Sequence, residues 1–177
     1  IAILVDALRK LGAQIDYFGE EGYPPLRIKG CALEGGLLEV AGNISSQFIS
    51  ALLMIGPQLN NGLTLHMTGE VISRPYIDLT LWTMREFGAD ADWSDFDTIT
   101  VKPQPYKDRA YLTENDWSAA SYWYEMMALT SNLDDEIKLE GLMDGSKQGD
   151  SQVRYLFSLL GVKTIFASKR PGKPTTV

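Results

Sequence analysis

Two short polar segments of this chain have the composition of an anion-binding turn. Asn43-Ile44-Ser45-Ser46-Gln47 lies between a strand-like and a helix-like stretch. At such a junction the first N–H groups of the helix lack intrahelical partners, and the helix dipole favours negative charge. Two hydroxyls and a carboxamide add further donors. A plain helix cap also accounts for Ser45, but one oxygen suffices for capping, so Ser46 and Gln47 exceed that need. Ser73-Arg74-Pro75-Tyr76-Ile77-Asp78 stands at the same kind of place before the next helix. Ser73 reads either as a cap or as a donor to an anion, and Tyr76 either as packing or as a pocket wall. Pro75 is harmless in a first turn, where its missing N–H has no acceptor. Asp116 precedes a third helix, where a carboxylate is favoured for capping alone.

Other chemistry is sparse. Cys31 is the one cysteine and His66 the one histidine. That is too few for a zinc cluster or a histidine-based triad, and it fits a reducing cytoplasm. His66 alternates with Leu65 and Met67 in a strand-like run and reads as structural. Cys31 reads as a bystander in a turn. No Walker or dinucleotide glycine loop is present. A net charge of −7 argues against nucleic acid or an anionic membrane as partner. No apolar run approaches the roughly 18 residues a spanning helix needs.

The elements that must position these residues recur. A helix end, a glycine and a strand appear around Gly12, Gly88 and Gly161, at intervals of about 75 residues. Each such glycine suits the left-handed position that closes a helix. Between them, Gly36–Val40 and Ala110–Thr113 read as strands that lead through the Gly42–Gln47 and Asn115–Ala120 segments into helices. Leu63–Gly69 and Ile137–Gly141 read as the next strands. Ser46–Ile55 is expected to be helical, with Phe48, Ala51, Leu52 and Ile55 on its apolar face. The following helix should bury Ile77, Leu81 and Met84, and Thr98–Val101 reads as a short closing strand. The unit is β-α-β-α-β-β, in the α/β (α+β) class. Residues 1–102 read as the end of one unit plus a whole one, forming part of a first domain. Residues 103–107, with Pro103 and Pro105, read as a hinge linker. Residues 108–177 read as a unit of a second domain. Asn132–Glu136 reads as a solvated turn, and Lys169–Pro174 as a basic tail, a hairpin turn or a frayed end.

Several stretches, in this order, resemble the 5-enolpyruvylshikimate-3-phosphate synthase family. They are Tyr23-Pro24-Pro25-Leu26-Arg27, Ser45-Ser46-Gln47-Phe48 and Ser73-Arg74-Pro75-Tyr76-Ile77-Asp78, followed by Ser118-Ala119-Ala120-Ser121-Tyr122 and Gln148-Gly149-Asp150. The resemblance runs from Leu4 through Gly161. It implies two domains of repeated βαβαββ units in the inside-out barrel arrangement of enolpyruvyl transferases. It also implies transfer of the enolpyruvyl group of phosphoenolpyruvate to the 5-hydroxyl of shikimate 3-phosphate, with release of phosphate and without metal or organic cofactor. By the same resemblance, Ser45, Ser46 and Gln47 bind shikimate 3-phosphate, with Gln47 also facing phosphoenolpyruvate. Ser73 binds the phosphate, Tyr76 lines the pocket, and Asp116 is a secondary candidate just beyond the linker.

The departures are equally specific. The family's Lys-Ser and Gly-Asn-Ala-Gly-Thr motifs are absent, and one of its arginines would fall just before Ile1. The acid–base Asp and Glu, and the later Arg and Lys, would fall beyond Val177. Ile1 opens a helix without a cap, so the chain is expected to be an internal piece, inactive alone. Two other functions fit the repeat. One is a non-catalytic module that binds a phosphorylated metabolite. The other is a different enolpyruvyl transferase, such as the UDP-N-acetylglucosamine enzyme, although Ser-Ser-Gln-Phe and Ser-Arg-Pro-Tyr speak against that.

Overall fold

Alternating apolar residues give the central sheet one dry face and one wet face. In the computed structural model, which describes residues 1–132 and 134–167, that sheet is built from four strands. They are β3 (Gly36–Ala41), β4 (Leu63–Thr68), β5 (Ala91–Asp95) and β6 (Thr98–Val101), in the order β3-β4-β6-β5. Leu38, Val40, Leu63, Leu65, Met67, Ile99 and Val101 are buried on the dry face. Each such side chain contributes roughly 1.5–3 kcal/mol when fully withdrawn from water. β3 and β4 are parallel, joined through α2 (Ser46–Ile55), whereas β6 runs antiparallel to both β4 and β5.

The helices α1 (Ala2–Lys10), α2 and α3 (Arg74–Glu86) supply the rest of this core. Ile77, Leu81 and Met84 of α3 are buried, as their spacing predicts. On α2 Leu52 is buried and Phe48 and Ile55 pack half-buried against the core, as expected, but Ile49 and Leu53, outside the expected face, are the other two fully buried residues. The helix is apolar almost all round, so periodicity alone leaves its inward face open; packing against α3 and the sheet selects it. The repeat is visible in the backbone. α1 leads into an antiparallel pair, β1 (Gln14–Tyr17) and β2 (Leu26–Lys29), as α3 leads into β5 and β6. Gly12, Gly88 and Gly161 share φ of 102°, 85° and 88°, each just past a helix.

The chain divides into two compact units after Arg109. Residues 103–107 are bonded to the first. The Gln104 N–H donates to the Pro57 carbonyl at 3.0 Å and the Lys107 N–H to that of Phe87 at 2.8 Å. The Tyr106 hydroxyl donates to the Met54 carbonyl at 2.8 Å. Burial raises the Tyr106 pKa, because the phenolate would lose hydration. The unfolded chain therefore ionises first as pH passes about 10. Stability that is complete below that pH is lost as pH rises through the folded-state value. Thermal melts from about pH 9 to 11 should fall more steeply for the parent chain than for Tyr106→Phe. Parallel curves would contradict the assignment.

In the second unit, α4 (Trp117–Leu129) packs against α5 (Val153–Ser158) and the 3-10 turn Gly149–Gln152 that precedes it. Trp117, Ala120, Tyr124, Leu142 and Val153 form its core. The strands expected at 110–113, 137–141 and 162–164 are not formed. The Asn115 N–H donates to the Gly141 carbonyl at 2.8 Å, where a ladder was expected. In the first unit β4 has a strand on each side. Among the described residues of the second unit, 137–141 has no flanking strand, and only Leu142 next to it forms a single bridge. In the 132–136 turn the Asn132 carboxamide donates to Asp135 at 2.8 Å; Leu133 itself and Lys169–Pro174 lie outside the described residues. No helix among the described residues is long and apolar enough to cross a membrane.

Candidate anion site at the ends of two parallel strands

The carboxyl ends of adjacent parallel strands are where open α/β sheets bind ligands. Here Ala41 and Thr68 pair at the ends of β3 and β4. Gly42 then stitches the two departing loops together. Its N–H donates to the Thr68 carbonyl at 2.7 Å, and its carbonyl accepts from the Ile72 N–H at 3.3 Å. The loops are so close that a Cβ on Gly42 would lie 2.8 Å from the Glu70 carbonyl oxygen and 3.2 Å from the Val71 Cα. The N-termini of α2 and α3 therefore start from one edge of the sheet, and the hydroxyls of Ser50 and Thr80 join the two helices at 2.7 Å.

Each predicted residue can now be placed. Ser45 is the N-cap of α2, its Oγ accepting from the Gln47 N–H at 3.3 Å. The Ser46 hydroxyl and the Gln47 carboxamide have no side-chain hydrogen bond among the described residues, and Gln47 is exposed. Ser73 precedes α3 but does not cap it, which removes the capping explanation. It adopts φ 55° and ψ 32°, the one non-glycine residue with positive φ among those described. A non-glycine residue there costs about 1–2 kcal/mol, and such strain concentrates at functional sites. Tyr76 is 53% exposed, so the core does not account for it. Together these groups present uncommitted neutral donors and two helix N-termini, an arrangement suited to an anion.

Arg74 does not add charge to that edge. Its guanidinium stacks 3.8 Å from the centroid of the Trp93 ring and donates to the Phe96 carbonyl at 3.0 Å. The outlying candidates have separate roles. Asp116 lies in the second unit and caps α4, its Oδ1 accepting from the Ser118 N–H at 2.8 Å. His66 sits on the wet face between Glu39 at 3.4 Å and Asp97 at 3.5 Å, surroundings that repel an anion. Cys31 is exposed, with Sγ 3.5 Å from the Gly12 carbonyl oxygen. A groove of about 500 Å³ between Met54, Leu79, Thr83, Phe87 and Tyr106 is apolar. Its Thr80 and Thr83 hydroxyls donate within α3, so it offers no free donors to a phosphate.

Sequence reasoning missed Glu114. Its Oε1 accepts from the Trp117 indole and the Met143 N–H, both at 2.7 Å. Its Oε2 accepts from Ser146 at 2.7 Å and from the Gln148 carboxamide at 3.1 Å. Gln148 in turn accepts from the Trp117 N–H at 2.9 Å. These bonds fix the start of α4. The only signal available beforehand was the Gln148-Gly149-Asp150 stretch.

The fold is mixed α/β with a repeated helix-to-hairpin unit, and comparison with known proteins defines the family. A family model described as EPSP synthase (3-phosphoshikimate 1-carboxyvinyltransferase) matches residues 1–165, and the chain belongs to that family. A 3-phosphoshikimate 1-carboxyvinyltransferase from Bacteroides fragilis is 56% identical over 164 residues, covering 93% of this chain and 40% of that protein. One from Marinomonas sp. is 40% identical over 168 residues, covering 94% of this chain and 39% of its own length. The structure of EPSP synthase from Acinetobacter baumannii shares the fold, with a TM-score of 0.70 at 21% identity over 98% of this chain and 37% of that one. The chain thus spans about two fifths of the length of the curated relatives it matches.

Proposed function

We propose that this chain contributes the shikimate 3-phosphate half of the active site to a 3-phosphoshikimate 1-carboxyvinyltransferase. In that reaction the 5-oxygen of shikimate 3-phosphate bonds to C2 of phosphoenolpyruvate, and the bond from C2 to the phosphate oxygen breaks to release phosphate. The observation that carries the reading is the juncture of the 42–47 and 69–76 segments, with the side chains of Ser46, Gln47 and Ser73 free of other hydrogen bonds among the described residues. Ser45, Ser46 and Gln47 hold the substrate at the N-terminus of α2. Ser73 donates to its phosphate and Tyr76 walls the pocket. Asp116 remains the secondary candidate for a part in the chemistry.

The net charge of −7 is consistent with a division of labour. This half supplies neutral donors and dipoles, and cations outside it complete the neutralisation of two anionic substrates. The reading includes a cytoplasmic enzyme of small molecules that needs neither metal nor organic cofactor, and a linker at 103–107 between two domains.

Gln47 tests it directly. In the full-length protein carrying this sequence, Gln47→Ala should weaken shikimate 3-phosphate binding about tenfold, the equivalent of about 1.5 kcal/mol for one hydrogen bond to a charged group. Calorimetric titration reads this. Unchanged affinity and kinetics would remove Gln47 from the site.

A further inference from the structure

We infer that Arg74, Trp93 and Asp78 form a bracket that holds Ser73 in its left-handed conformation, which makes Arg74 and Trp93 positioning residues for phosphate recognition. The inference rests on the reading of Ser73 as a ligand to the substrate's phosphate.

Ser73 is strained, and its own side chain does nothing to hold it: it makes no capping bond. Relaxation would let the first turn of α3 rewind and carry the hydroxyl away from the Gly42–Gln47 loop. What opposes this lies one residue further on. Arg74 stacks on the Trp93 ring at 3.8 Å and donates to the Phe96 carbonyl at 3.0 Å. Trp93 returns the contact, its indole N–H donating to Asp78 Oδ1 at 2.7 Å. Residues four apart share a helix face, so Arg74 and Asp78 grip one ring from one side of α3. That ring belongs to β5, whose partner β6 is bonded to β4. The first turn of α3 is thereby tied to the sheet by a stacked cation, a carbonyl bond and an indole bond. Arg74 has no ion pair among the described residues, so its charge is committed to the ring and the carbonyl rather than to an acid.

The test is a double-mutant cycle in the full-length protein, read as affinity for shikimate 3-phosphate. Trp93→Leu keeps apolar bulk and leaves net charge unchanged while removing the ring face and the indole donor. It should weaken binding roughly fivefold, the population cost of releasing a residue from the left-handed region. Ser73→Gly removes the hydroxyl and tolerates the conformation. In that background Trp93→Leu should have no further effect. Trp93→Phe, which restores a ring for Arg74, should recover most of the loss. Arg74→Met provides the same cycle should Trp93→Leu fail to fold. A Trp93→Leu protein that binds like the parent overturns the bracket, as does a loss that persists in full alongside Ser73→Gly. Parent-like binding by Ser73→Gly alone would instead remove Ser73 as a ligand, and the bracket's role with it.

Discussion

On the proposed function, Gly42→Ala should lower kcat/KM for shikimate 3-phosphate by roughly a hundredfold in the full-length protein, although the added methyl lies between two loops of the backbone. The new Cβ would stand 2.8 Å from the Glu70 carbonyl oxygen and 3.1 Å from its carbon. Both are backbone atoms, so no flexible side chain can yield. The loops must separate, and with them go the Gly42–Thr68 and Ile72–Gly42 hydrogen bonds. Overpacking of this kind costs about 1–3 kcal/mol of stability. The larger effect is on the site, because the clash pushes Ser73 away from Ser46 and Gln47, and displacements near 1 Å cost about a hundredfold in well-positioned sites. Steady-state kinetics with a parallel thermal melt separates the two. A variant that keeps parental kcat/KM would show that the apposition of the loops is unimportant to the substrate.

Glu114→Ala should destabilise the second unit by roughly 3–5 kcal/mol. The Trp117 ring is fully buried at 0% exposure, and its indole N–H, the Met143 N–H, Ser146 and Gln148 all donate to this one carboxylate. A hydrogen bond to a charged group is worth about 1.5–3 kcal/mol, and its loss leaves the buried Trp117 indole and three half-buried donors unpaired. The four bonds form one network, so their values do not add in full. Glu114→Gln keeps the shape but offers one acceptor oxygen and an NH2 that faces donors, so it should recover only part of the loss. Amide hydrogen exchange across Trp117–Leu129 reads the effect locally. Protection equal to the parent's in Glu114→Ala would contradict a central role for this carboxylate.

The contrast between these two positions shows what was legible in the sequence. Local rules found Ser46–Ile55 and Thr98–Val101 at their observed bounds, because periodicity and turn residues act within a few positions. They also found the glycines that close successive helices, since left-handed geometry restricts the residue type. Ser45 as a cap was readable for the same reason. Ser73 was not, because a capping serine and a strained, non-capping serine present the same letters before Pro75. Their difference lies in a backbone angle, with φ of 55° at Ser73, beside an α3 arginine that stacks on a tryptophan of β5 far away in sequence. Glu114 was silent because three of its four donors lie about thirty positions away and share no periodic pattern with it. The strands expected in the second unit, which its described residues do not form, are a different matter: alternation marks a segment able to pair, whereas pairing itself is a long-range event.

Amide NMR of the 177-residue chain during titration with shikimate 3-phosphate locates the substrate on the chain. Shifts should concentrate at Gly42–Gln47 and Ile72–Tyr76, with the His66 face of the sheet and the apolar groove at Tyr106 unchanged. Saturating ligand that leaves both loops unshifted, or shifts centred on either of those other surfaces, would contradict the proposed site.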